Sequence, residues 1–444
     1  MNQIPFDPAS PQAALAALPQ RSAVFALYGA EAHAEPYIGR TPNLRARLAR
    51  LLQPSPKHPR RLQLAGRVRR IVWHSTGSEF ESLLVQFQLL QNQYGPKALE
   101  RMHLRAPAFV RFLGGNPYPR IAVTNRPSQR EADWAYGPFP SRAAAERYTE
   151  EALKLFLLRR CTDDLDPNPA HPGCVYSEMK MCLAPCYKGC TDERYGEEAT
   201  AVESFLASRG ESRLVTLRAQ RDQASADLEF ESAAALHAQV QKVEAVHALA
   251  AELVRPMSQL RAVILQPAAT PDEVAIFLFE NGQLRGPAMF STIGMRIQNE
   301  QSGSTSLFAQ PLVIEPVLEE PAIAKTPAEM PEPEIGEDPA PQPTPAANES
   351  EEPSPQPAAP ARIARSALEA RLESLLTELA SASAQPSATV RQAHLALLKR
   401  WYYRPEARRT GEIFFPGTDG RWPAKAILRG VGRVAAKALT LPGA

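Results

Sequence analysis

YGPFPSRAAAERYTEEALKLFLLRRCTDDLDPNPAHPGCVYSEMKMCLAPCYKGC, residues 136–190, holds every cysteine of the 444-residue chain: Cys161, Cys174, Cys182, Cys186 and Cys190. Cysteines used for packing are scattered through apolar segments. Five of them inside one Pro-, Gly- and Lys-rich stretch read instead as ligands of a shared centre. The spacing is C-x12-C-x7-C-x3-C, and Cys190 follows after three more residues. Four thiolates suit tetrahedral zinc or an iron–sulfur cluster. Structural zinc usually shows two C-x2-4-C knuckles, and here the first two cysteines stand apart, so spacing alone leaves both metals open.

The surroundings favour a metal over disulfides. The N-terminus, MNQIPFDPASPQAALAALPQ, lacks a basic stretch followed by a long apolar one, so no secretory signal is expected. A cytoplasmic location follows as the expectation, and disulfides are disfavoured there. No run of about 18 apolar residues exists, so no membrane span is expected. The length suggests two or three domains, and a hydrophobic content of 44% is enough for real cores.

Charge is unevenly distributed behind a net +2. Residues 36–78 contain no Asp or Glu but carry Arg40, Arg45, Arg47, Arg50, Lys57, Arg60, Arg61, Arg67, Arg69 and Arg70. Such a run suits phosphate binding. At the other extreme, residues 311–360 are Pro-rich and acidic, with Lys325 as the lone base. A stretch of this composition cannot bury enough apolar surface to offset chain ordering, so 301–362 reads as a disordered linker.

Periodicity indicates an α+β multidomain chain. Residues 1–19 read as an N-terminal tail. Residues 20–100 mix strand-like AVFALYG and VRRIVWHS with helical NLRARLARLL and FESLLVQFQLLQNQY, a small α/β domain. Residues 101–195 form the cysteine-rich module, with strand-like FVRFLGG and RIAVTN and a helix at 141–158. Residues 196–253 read as wholly helical. A strand pair is expected within 254–300, turning at Asn281-Gly282. Residues 363–444 read as a separate small α+β domain, with leucines at helical spacing from Leu368, aromatics interleaved with cations in KRWYYRPEARR (399–409), and a closing hairpin and short helix.

The cysteine stretch, with the aromatic-GPFP turn and helix before it, resembles the middle of UvrC, the nuclease subunit of bacterial nucleotide-excision repair. That resemblance implies a [4Fe-4S] cluster on Cys161, Cys174, Cys182 and Cys186, and leaves Cys190 as an extra. SAVFALYGAEAHAEPYIGRTPNLRARLARLL similarly resembles the GIY-YIG endonuclease domain that opens UvrC. Its implied catalytic positions are Tyr37, Arg40 and Arg47, around a divalent ion such as Mg2+ if the nuclease is active. Four positions depart from the family: Arg40 stands where a lysine is common, Leu51 where a further tyrosine is expected, and two more bear on the chemistry directly. The first-motif tyrosine is Phe25, and the metal-binding glutamate, aligned on the leucines of its helix, becomes Gln86. Hydrolysis is therefore expected to be lost or weakened. The alternative is a single-incision endonuclease whose metal ligand is Glu79 or Glu81, although Glu81 falls on a different helix face from position 86.

Residues 224–244, ASADLEFESAAALHAQVQKVE, resemble the UVR motif shared by UvrC and UvrB. Leu228 and Phe230 would close a turn, and Leu236, Val240 and Val243 extend an apolar stripe that invites a UvrB-like partner. RGVGRVAAKAL (429–439) resembles the glycine hairpin of a helix-hairpin-helix. The resemblance covers roughly residues 20–290, and the RNase-H-like second nuclease of UvrC has no counterpart. The expected protein binds DNA in excision repair. An adaptor that binds a UvrB-like partner without touching DNA is the alternative from another class.

Overall fold

The computed structural model describes residues 1–31, 34–53, 64–162, 164–293, 295, 365–381 and 386–440. The linker at 301–362 lies outside the described residues, as do Lys57, Arg60 and Arg61. What is described is mixed α and β, built on three four-stranded antiparallel sheets.

The first sheet takes β1 (Asn2–Pro5), β2 (Ala23–Tyr28), β3 (Tyr37–Thr41) and β4 (Arg70–Ser75) in the order β1-β4-β2-β3. Residues 1–19 are thus no tail. β1 pairs with β4 from Asn2↔Trp73 to Pro5↔Arg70, and α1 (Pro11–Ala16) follows. Phe6, Leu15 and Leu18 are buried beside Phe25, Ile71 and Trp73. The apolar content of that segment, interrupted by Pro, hid its role as an edge strand and a helical cover.

Covering the same core is α2 (Leu44–Leu52), capped by the Asn43 side chain accepting from the Ala46 N–H at 2.9 Å. Its Leu44, Leu48, Leu51 and Leu52 face inward. The longer α3 (Glu79–Tyr94) is capped at Ser78 and touches β3 on one side. Its Phe80, Leu84 and Phe87 instead enter a second core shared with the third sheet.

A short α4 (Ala98–Arg101) leads into the second sheet, made of β5 (Ala108–Phe112), β6 (Ile121–Thr124), β7 (Ala135–Phe139) and the two-residue β8 (Arg255–Pro256), in the order β6-β5-β7-β8. α5 (Arg142–Leu153) starts at a Ser141 cap and ends five residues before the expected boundary at 158. The cysteine loop follows, with α6 (Val175–Glu178) inside it. Then come α7 (Asp192–Ala207), α8 (Glu211–Ala226) and α9 (Phe230–His247), the helical run expected over 196–253.

The third sheet joins segments that the sequence suggests are separate. β9 (Ala262–Pro267), β10 (Glu273–Glu280) and β11 (Gln283–Ser291) form a three-stranded meander where a strand pair was expected, with the Asn281-Gly282 turn between β10 and β11. Beyond the linker come α10 (Arg365–Ser381), α11 (Ala388–Tyr402), β12 (Glu412–Phe414) and α12 (Ala424–Thr440). β12 pairs with β9 at Glu412↔Leu265, Ile413↔Ile264 and Phe414↔Val263. Residues 363–444 therefore do not fold apart from 254–292. Leu395, Leu398 and Trp401 of α11 share a core with Ile264 and Phe277 of the sheet. No local pattern announces such a pairing across an intervening linker.

Two further expectations change here. The closing hairpin is a single short strand and a long helix, and Gly430 and Gly432 lie inside α12, so RGVGRVAAKAL is no helix-hairpin-helix turn. In KRWYYRPEARR, Trp401 is core and donates its ring N–H to the Thr410 carbonyl at 2.8 Å.

Candidate nucleic-acid interface and cysteine site

A cleft of about 650 Å³ opens between β3 and α3, lined by Tyr37 and Ile38 from the strand, Gln86, Leu90 and Tyr94 from the helix, and Glu35, Pro36, Glu100, Arg101 and His103 at its rim. Tyr37 and Gln86, far apart in sequence, thus face one hollow. Arg47 of α2 donates from Nη2 to the Tyr37 hydroxyl at 3.4 Å. The Phe25 ring lies 6.1 Å from that of Tyr37 and covers Gly39, where a Cβ would meet it at 2.9 Å. Only glycine lets the sheet close there.

The two carboxylates at the start of α3 are already engaged. Arg404 grips Glu79 with two contacts of 2.8 Å, Arg40 reaches it at 3.1 Å and Arg400 at 3.9 Å. The Arg404 hydrogen bond, working against partial burial, holds the Glu79 carboxyl down at about 2. Glu81 is 0% exposed and turned away, accepting from the Gly77 N–H at 2.8 Å and meeting His74 Nε2 at 3.4 Å. Neither lines the cleft. Glu35 and Glu100 do, and sequence reading missed both. Glu35 is paired with Arg101 at 3.2 Å, and Arg101 also lies 3.7 Å over the Tyr94 ring. The position of Glu35, two residues before Tyr37, was the signal available.

The structure splits the basic run by task. Arg45 gives its guanidinium to the Leu18 and Ala16 carbonyls at 2.7 and 2.8 Å, closing the end of α1, so it does not serve as a free phosphate contact. Arg69 binds the Gly66 and Val68 carbonyls at 3.0 and 2.8 Å. Arg70 stacks 4.5 Å over Tyr28, and Arg50 donates to Ala46 O within its own helix. Arg50, Arg67, Arg69 and Arg70 remain exposed.

In the cysteine loop, buried Arg159 anchors the base through Nε to Tyr118 O at 3.0 Å and reaches Cys161 Sγ at 3.6 Å. Ser177 Oγ ties α6 to Cys174 by accepting its N–H at 2.9 Å, and Asn168 N–H donates to Cys186 O at 3.0 Å. Burial first, and then the charges of Cys174, Cys186 and Cys161, push the Cys182 thiol up. Cys186 likewise rises through burial and feels Cys174 and Cys161. These four bear on one another electrostatically. Cys190 rises through burial and Asp192, with no cysteine contributing. Among the described residues, no three His, Cys, Asp or Glu side chains stand close enough to share a metal. The donor chemistry fits a thiophilic centre, and the loop gathers its donors without closing them on one point.

α8 and α9 form an antiparallel hairpin braced by Arg218 Nη2 to Glu244 at 2.8 Å. Its two faces differ from expectation. Val240 and Val243 are 2% and 1% exposed and pack with Phe205, Leu214 and Leu217 in the chain's own core, so they are unavailable to a partner. Leu236 is half-buried against the same core. Leu228 and Phe230, at the tip, are 72% and 67% exposed. The sequence stripe was real, but its side chains turn inward against α8 and α5.

Residues 109–205 match the family described as the middle domain of UvrC/Cho excinucleases. The matched stretch runs from β5 through the cysteine loop to α7. Over about half its length the chain is similar to UvrABC system protein C. It is 30% identical to that protein of Alcanivorax borkumensis over 210 residues, 47% of this chain and 34% of that one. With the protein of Pseudomonas protegens the identity is 29% over 234 residues, 53% and 38%. With that of Methylococcus capsulatus it is 28% over 274 residues, 62% and 44%. The chain thus spans under half the length of the curated relatives it matches. No solved structure matches it. No helix among the described residues is long and apolar enough to cross a membrane.

Proposed function

We propose that this chain is a DNA-binding, UvrC-like protein of nucleotide-excision-repair type whose GIY-YIG phosphodiester cleavage is lost or weakened. The observation that carries this is Gln86 facing Tyr37 across the cleft, at the position where the family resemblance implies a metal-binding glutamate. A neutral amide holds a divalent ion far less well than a carboxylate and adds no charge to it. The alternative ligands are engaged elsewhere: Glu79 by arginines, Glu81 by the Gly77 amide. Tyr37, Arg40 and Arg47 then serve to position a phosphate, with Mg2+ needed only if cleavage survives. Exposed Arg50, Arg67 and Arg70 extend the contact to the DNA backbone.

Cys161, Cys174, Cys182 and Cys186 would hold a [4Fe-4S] cluster. Bound there, the cluster supplies a covalent cross-link for a loop with few apolar contacts. A UvrB-like protein is the proposed partner of the hairpin.

The test is nicking of damaged duplex with magnesium and with manganese. Neither metal should give nicking above background, and Gln86→Glu should raise it. Robust magnesium-dependent nicking by the unmodified protein, abolished by Arg47→Ala, would overturn this reading. A second reading, an adaptor that never touches DNA, draws on the exposed Leu228 and Phe230. It predicts partner binding through the tip and no salt-dependent DNA affinity.

A further inference from the structure

A second hollow, about 200 Å³, lies beside the cleft, between the loop after α4 and the solvent side of α11. His103, Leu104, Arg105, Ala396, Lys399 and Arg400 line it, and no carboxylate does. Lys399 is half-buried and donates Nζ to the Arg105 and Ala106 carbonyls at 3.3 and 3.4 Å, with no further partner among the described residues. Burial and then the nearby Arg105 charge push its ammonium below the ordinary lysine value. It is a cation short of a counter-charge. Arg105 is exposed, and its guanidinium has no hydrogen bond or ion pair among the described residues. The carboxylate of Glu79 stands 3.9 Å from Arg400 but is held more closely by Arg404 at 2.8 Å. His103 keeps a left-handed backbone, φ 50°, and lines both this hollow and the cleft.

We infer that this hollow is a phosphate subsite, completed by the segment beyond the linker, which holds a backbone phosphate of a nucleic-acid strand running past His103 from the cleft. Three positive groups with unfilled donors and no lining acid suit a phosphodiester oxygen. A desolvated ammonium gains more from an anion than a solvated one does, because the local dielectric is lower. Continuity with the cleft favours a polymer carrying regularly spaced phosphates over a single small anion. The inference rests on reading the cleft as a nucleic-acid interface.

The experiment uses the full chain and its Arg105→Ala and Arg105→Ala/Arg400→Ala variants. Each is titrated with a fluorescein-labelled single-stranded oligonucleotide across a salt series, and its melting temperature is followed in inorganic phosphate. The variants should melt like the parent, bind the oligonucleotide about five- to tenfold more weakly, and lose about one unit of salt slope per cation removed. Parent-like affinity and slope in both variants, with the parent binding DNA, would sink the subsite and leave the reading of the cleft intact. If the parent binds no DNA, that reading fails and the phosphate arm decides. A phosphate-dependent rise in melting temperature that Arg105→Ala removes supports an anion site, and no rise in the parent overturns it.

Discussion

Arg404 and Glu79, 325 residues apart, meet through two nitrogen–oxygen contacts of 2.8 Å each. One lies at the start of α3, the other just past α11, so the pair joins the N-terminal sheet domain to the segment beyond the linker. Gly77, just before α3, lies tight against the end of β9 in the third sheet: a Cβ there would collide with the backbone of Pro267 and Ala268.

Glu79→Gln should destabilise the chain modestly at pH 7. Its carboxyl is held at about 2 against an ordinary 4.5, so its contribution is present above pH 4.5 and fades as pH falls toward 2. The side chain is 37% exposed, which after solvent screening leaves about 1 kcal/mol. Melting curves of parent and variant should differ at pH 7 and converge near pH 2. A difference that persists there would point to lost packing instead.

His394 sets a second pH dependence. It is buried, and its Nδ1 accepts the Leu284 N–H at 3.0 Å, which only the neutral ring can do. Burial depresses it to about 4 from 6.5. The unfolded chain therefore binds a proton more readily than the folded one. Stability is full above pH 6.5 and falls as pH drops toward 4, by at most roughly 3 kcal/mol. His394→Gln should flatten that slope in denaturant titrations between pH 7 and 4, while losing about 1 to 2 kcal/mol at pH 7 from the weakened acceptor. An unchanged slope would exclude His394 as its source.

At the hairpin, tip and stripe should respond oppositely. Leu228→Asp and Phe230→Asp should leave the melting temperature within a degree or two, because both side chains are exposed. Val240→Asp should cost several kcal/mol by burying a charge in the core. If binding to a UvrB-like partner survives both tip changes, that partner docks elsewhere.

Metal analysis of anaerobically purified protein should separate the cysteines. Cys182→Ser should lose iron and sulfide together and loosen the 161–190 loop to protease. Cys190→Ser should keep parent-like iron, since no other cysteine bears on that thiol. Zinc without sulfide in the parent would replace the cluster with a zinc site.

Much of the local structure was legible. Alternating and buried runs announced β2, β4 and β10, and helical periodicity announced α2 and α3; the caps at Asn43, Ser78 and Ser141 emerged with the structure. Phe25 and Gln86 were singled out by the resemblance, Gln86 through the leucines of its helix. Burial partners were less legible. Arg45 looked like a phosphate contact and instead closes α1; Val243 looked like a docking stripe and is core. Periodicity says which side chains share a face, and it does not say what covers that face.

By itself, the sequence determined the cysteine cluster, most helices and strands, and the amide at position 86, because these follow from residue type and short-range spacing. Tertiary structure alone decided that β1 closes the first sheet, that β12 completes the third from beyond the linker, and that Arg404 neutralises Glu79. Those outcomes depend on contacts between residues tens to hundreds apart. Strand pairing and burial of the remaining apolar faces select them, and no local pattern encodes the choice.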